Sequence, residues 1–87
     1  MIGDDIVERV IALVAEIAGP ERTPQEVGPD TPLTDGGFWL DSVSLVEMIV
    51  ACETEFFVEF DSEEDLTTAA LESIGSLVTV IQRKLAR

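Results

Sequence analysis

Residues 19–40 constrain the fold more than any other part of the chain. They hold all four prolines, and no hydrophobic period runs through them. A connection this long without secondary structure of its own is uncommon inside a compact domain, and usually marks a functional loop or a misread element. Val27, Leu33 and Phe38 are spaced so that they can pin it onto a core. A chain of 87 residues has room for one such core. The loop is therefore read as an ordered crossover between helices, and residues 1–87 as a single domain.

Both flanks are helical in pattern. Ile6, Val10, Leu13, Val14 and Ile17 recur on one face, Asp4 and Asp5 suit the positive end, and Gly19-Pro20 is a stop. This predicts a first helix over about 5–18. From Val43 a second begins, with Val46, Ile49, Cys52 (or Glu53) and Phe56 as a stripe widened by Met48 and Val50. Either Asp41 caps it, or Ser44 with Glu47 forms a capping box. Val58 and Phe60 alternate as in a strand, but with no partner strand in prospect they are read as an extended link. A short helix is expected over 62–71. Ser73 then caps a last helix whose face is Ile74, Leu77, Val78, Ile81 and Leu85, with Arg83, Lys84 and Arg87 at its negative end. The sum is an all-α bundle of three main helices, one short helix and a long first loop.

Charge and chemistry narrow the function. Eighteen acids against five bases give a formal net charge of −13, and no lysine or arginine lies between Arg22 and Arg83. Such a surface repels nucleic-acid phosphates and anionic lipid and favours a basic protein partner. Without histidine or tyrosine the chain lacks the usual nucleophile–base pairs, so it is not expected to be an enzyme. Its one cysteine, Cys52, can form neither an internal disulfide nor a thiolate zinc site, and its place beside Ile49 and Phe56 marks a buried core residue. Asp61, Glu63, Glu64 and Asp65 lack the spacing of a calcium loop, and Gly36-Gly37 lacks the lysine of a phosphate loop, so no metal site is assigned. No apolar run spans a membrane and no signal peptide is seen; a cytoplasmic monomer is expected.

The segment "DGGFWLDSVSLVEM", residues 35–48, carries the candidate site. With Asp41 as cap, Ser42 becomes the first exposed side chain of the helix, at an end suited to a phosphate ester. Here the chain resembles the acyl carrier proteins, small acidic helical bundles with Asp-Ser at the start of the second helix. The likeness runs from about residue 5 to 85. It includes Val46-Glu47-Met48 where the family has Val-Glu-Leu, "ETEF" at 53–56, "VEFDSEEDL" at 58–66 and "SIGSLV" at 73–78.

The resemblance implies a four-helix bundle whose Ser42 receives 4'-phosphopantetheine from coenzyme A through a phosphopantetheinyl transferase. Asp41 would help position the transferase's metal. Acyl- or aminoacyl-loading and condensing enzymes would then work on a thioester at the arm's end. Val43, Glu47, Val50 and Thr54 would form the partner-binding stripe, with Glu47 meeting basic residues. Three departures stand out. Trp39 occupies a position where the family commonly has glycine, and is read as packing the loop onto the bundle or else as touching the arm or its cargo. Ser44 replaces a common docking acid, and 61–73 is longer than usual. They point to a specialised polyketide or aminoacyl pathway beside the fatty-acid one. The competing reading is an unmodified acidic module that docks on a basic enzyme.

Overall fold

The computed structural model describes residues 2–60 and 71–86, with side chains from Ile6 onward. Three helices form: α1 over Ile2–Ala18, α2 over Ser42–Phe56 and α3 over Ile74–Leu85. Helix α1 packs against both of the others. Among the described residues there is no strand, only an isolated bridge between Pro32 and Ser73. The short helix expected over 62–71 and the acids at 61–65 fall almost wholly on residues 61–70, outside those described.

The first helix begins three residues earlier than its periodicity indicated. Ile6, Val10, Val14 and Ala18 form its buried face, while Leu13 and Ile17 pack on the flank. Gly19 ends it with φ 81, a left-handed backbone that glycine adopts freely, and its N–H reaches the Ala15 carbonyl at 2.8 Å. Arg22 completes the stop. Its Nε donates to the Ala18 carbonyl at 2.8 Å and its Nη2 to the Ile17 carbonyl at 3.3 Å, satisfying acceptors that the helix leaves open.

The loop is ordered by two kinds of contact. Leu33 and Phe38 are fully buried and Leu40 nearly so; Val27 packs against them from the rim. Backbone hydrogen bonds then tie the loop to the start of α3. Leu33 N–H donates to Glu72 O at 3.1 Å, Ile74 N–H to Thr31 O at 3.1 Å and Gly75 N–H to Pro29 O at 2.7 Å. The last two bonds use donors of a first helical turn that have no partner within the helix. Between Leu33 and Leu40 the loop doubles back, with Phe38 N–H on Pro32 O and Leu40 N–H on Leu33 O. Gly37 allows this fold, because a Cβ there would collide with the Pro32 carbonyl.

Helix α2 rotates away from the expected stripe. Its buried residues are Ser44, Met48, Ile49, Cys52 and Phe56, whereas Val46 and Val50 stand in solvent. Met48, Cys52 and Phe56 at intervals of four define the core face; Val46 shares the opposite one with Val43 and Val50. In α3 the buried set is Ile74, Leu77, Val78, Val80 and Ile81, and Leu85 is nearly half exposed because the core ends a turn earlier. Arg9 links α1 to the end of α2: its guanidinium lies 4.5 Å from the Phe56 ring centre and 2.7 Å from a Glu55 carboxylate oxygen. This pair is half exposed, so its net worth is small.

A loop leucine in solvent could be trimmed at almost no cost. Leu33→Ala is instead expected to destabilise the protein by about 2–5 kcal/mol, as a core truncation does. Urea unfolding followed by circular dichroism measures it; a change below about 0.5 kcal/mol would mean the loop is not part of the core.

Candidate functional site

The site is built where the loop ends. Burial of Leu40 fixes the chain just before α2, and Asp41 follows with extended backbone, φ −87 and ψ 179. Its Oδ1 accepts from the Ser44 N–H at 2.8 Å, and its carbonyl from the Leu45 N–H at 2.9 Å. Asp41 is therefore the cap. The alternative box built on Ser44 and Glu47 does not form, because Ser44 lies inside the helix and buried. For the same reason Ser44 is not a surface position where a docking acid has been lost.

With Asp41 as cap, Ser42 is the first helical residue and is exposed. Its hydroxyl makes no hydrogen bond with the described residues. Positive helix-end potential surrounds it, which favours an attached phosphate. The Asp41 carboxyl is held below its ordinary range by the Ser44 backbone N–H first, then by the Ser44 hydroxyl, with a smaller contribution from the Arg22 charge. It is ionised at neutral pH and lies on an exposed residue.

Val43, Glu47, Val50 and Thr54 are all exposed and succeed one another along α2. Trp39 departs from its expected role. Its side chain is 56 % exposed, so it does not seal the loop onto the bundle, and its backbone has φ 55. That left-handed conformation is the one glycine adopts readily. Arg22 Nη1 reaches the Trp39 carbonyl at 3.4 Å, joining the end of α1 to the approach to Ser42. One sign of this role is visible in the residues: Arg22 is the only base between Arg9 and Arg83 and lies just after the Gly19-Pro20 helix stop.

Cys52 sits in the core, as expected. Burial, with the nearby Glu53 and Glu55 charges, pushes its thiol up to about 12, so it stays protonated and unreactive at neutral pH.

The sequence profile of the phosphopantetheine attachment site family matches residues 8–81. The chain belongs to this family, whose cofactor is a covalently attached phosphopantetheine. It is 32 % identical over 80 residues to the meromycolate extension acyl carrier protein of Mycobacterium leprae, matching 92 % of this chain and 64 % of that protein. A protein of the same name from Mycolicibacterium smegmatis is also 32 % identical over 80 residues, with 75 % of its length covered. Acyl carrier protein 3 of Ralstonia nicotianae is 44 % identical over 46 residues, covering 53 % of this chain and 49 % of that one. The chain thus spans less than two thirds of the length of the Mycobacterium leprae relative. No solved structure matches it significantly.

Because the folded Asp41 carboxyl ionises more readily than the unfolded one, its contribution to stability is fully present above about pH 4. It is lost as pH falls through the lower folded value. Asp41→Asn keeps a capping oxygen but has nothing to titrate, so its melting temperature should fall less steeply with acid than that of the wild type below pH 4. Parallel melting curves for the two proteins would show no difference if the cap carried no charge advantage. Cys52 should likewise resist a thiol reagent in buffer and react fully in denaturant.

Proposed function

We propose that the chain is a single carrier domain that holds acyl intermediates as thioesters on a 4'-phosphopantetheine arm attached to Ser42. The observation that carries this reading is the exposed Ser42 hydroxyl, set by the Asp41 cap at the first turn of α2 within the matched family segment. In the loading step the Ser42 oxygen forms a phosphodiester with the phosphopantetheinyl phosphorus of coenzyme A. The bond to the nucleotide half breaks, 3',5'-adenosine diphosphate leaves, and the hydroxyl proton passes to the transferase. When bound, the arm supplies the thiol that carries the cargo.

The residues of this chain hold and present; partner enzymes do the chemistry. Asp41 fixes the helix start and offers an ionised oxygen for the transferase's metal. Val43, Glu47, Val50 and Thr54 form the face that partners meet, with Glu47 answering basic residues. A fourth, short helix over 62–71 would complete the bundle. The names of the relatives favour acyl over aminoacyl cargo and a pathway related to fatty-acid synthesis. The net charge of −13 supports basic enzymes as partners.

Incubation with coenzyme A, magnesium and a broad-specificity transferase should add the mass of one phosphopantetheinyl group, and Ser42→Ala should abolish the gain. Intact mass spectrometry reads both. A wild-type protein that stays unmodified, yet binds a basic enzyme in a salt-sensitive way that Ser42→Ala leaves unchanged, would identify an unmodified docking module instead.

A further inference from the structure

Trp39 stands beside the attachment serine without a task of its own. Its indole is 56 % exposed, although Phe38 before it and Leu40 after it are buried. Its φ of 55 is a left-handed backbone in which glycine is unstrained and a large side chain is not. Strain kept for a side chain that stays mostly in solvent points to a use for that side chain.

The backbone under the indole is fixed from several directions. Trp39 N–H donates to Thr34 O at 3.0 Å, and Arg22 Nη1 donates to the Trp39 carbonyl at 3.4 Å. The N–H groups of Phe38 and Leu40 bond Pro32 O at 3.1 Å and Leu33 O at 3.0 Å. Only the side-chain torsions of Trp39 remain free, so a ligand that meets the ring has little left to order.

The nearest group that such a ring can serve is the arm itself. Three steps along the chain separate Trp39 from Ser42, so their Cα atoms lie no more than about 11 Å apart. Phosphopantetheine begins at the Ser42 oxygen with a charged phosphodiester. One methylene further on, its pantoyl unit carries a quaternary carbon with two methyl groups, the apolar part of the near half of the arm. An indole face is a fitting surface for it. Arg22 is the only base between Arg9 and Arg83, and it bonds the Trp39 carbonyl while its charge acts on the Asp41 carboxylate. It therefore offsets part of the negative charge that a phosphodiester adds beside Asp41. Covalent attachment makes the contact intramolecular, so one too weak to hold free pantetheine is still populated.

We propose that Trp39 is an arm-binding residue, whose indole takes the pantoyl methyl groups of a phosphopantetheine on Ser42 and so sets the direction in which the arm leaves the protein. The inference rests on the carrier reading and deepens it. Its occupant is the prosthetic group, neither the cargo nor a partner enzyme.

The chain has one tryptophan and no tyrosine, so its fluorescence reports this indole almost alone. The apo protein is converted with coenzyme A, magnesium and a broad-specificity transferase, and conversion is scored by intact mass. Acrylamide quenching should then fall about twofold from apo to holo protein, with emission moved to shorter wavelength. In proton NMR of the holo protein, the indole ring current should shift the two pantoyl methyl signals away from their positions in free 4'-phosphopantetheine. Cross-relaxation should link them to the indole protons. Trp39→Gly, which suits the left-handed backbone, should return both signals to the free positions. Phe57→Gly relieves a backbone of the same kind roughly 22 Å away along α2, and should leave them shifted. Quenching and cross-relaxation are read on the wild type, so the test stands whether or not Trp39→Gly keeps its helical circular-dichroism spectrum.

A converted protein with unchanged quenching and methyl signals at the free positions overturns this proposal and leaves the carrier reading intact. Signals that move only after the thiol is acylated also overturn it, and assign the indole to cargo. A wild type that is never converted overturns the carrier reading and this inference with it.

Discussion

The hydrogen bonds from Ile74 and Gly75 N–H to the carbonyls of Thr31 and Pro29 hold the rest of the structure in place. They solve two problems together. Helix α3 begins with donors that its own turn cannot satisfy, and a proline-rich loop carries carbonyls that no helix or sheet can use. Joining them fixes the loop at its midpoint, from which Leu33 and Phe38 drop into the core. Leu40 follows them in, and the chain emerges at Asp41 with one direction open to it. The place of Ser42 is thus set by contacts made at the far end of the sequence.

Much of this was legible in the residues. The period of three and four located all three main helices, the Asp-Ser step located the cap, and the isolated apolar residues of the loop were recognisable as pins. Orientation was less legible. Val46 belongs to a helical stripe on paper, yet faces solvent, because a helix with apolar residues on both sides does not reveal which side the neighbouring helix covers. Ser44 shows the converse. A polar residue in the buried face contradicts the hydrophobic pattern, and it is tolerated because it lies in the first turn of the helix beside the Asp41 carboxylate.

Trp39 exposes another limit. A large aromatic in a loop is ordinarily a packing residue, and sequence patterning contains no term for backbone handedness. The observed φ of 55 reverses that reading, since it turns the indole outward while Leu40 goes in. Arg22 participates from the other side, bonding α1 and the Trp39 carbonyl with one guanidinium. A lysine could not do this, because it offers a single point charge in place of a planar fork.

The silence of Cys52 has a further meaning if, as proposed, the chain carries activated esters. Thioesters are spent by amines, imidazoles and competing thiols. This chain has no histidine, places no lysine between the loop and the last turn of α3, and keeps its one sulfur protonated inside the core. Cargo in transit would therefore meet no imidazole and no free thiolate on the vehicle itself. Chemical blankness around the attachment point is what would let a labile bond survive until a partner cleaves it.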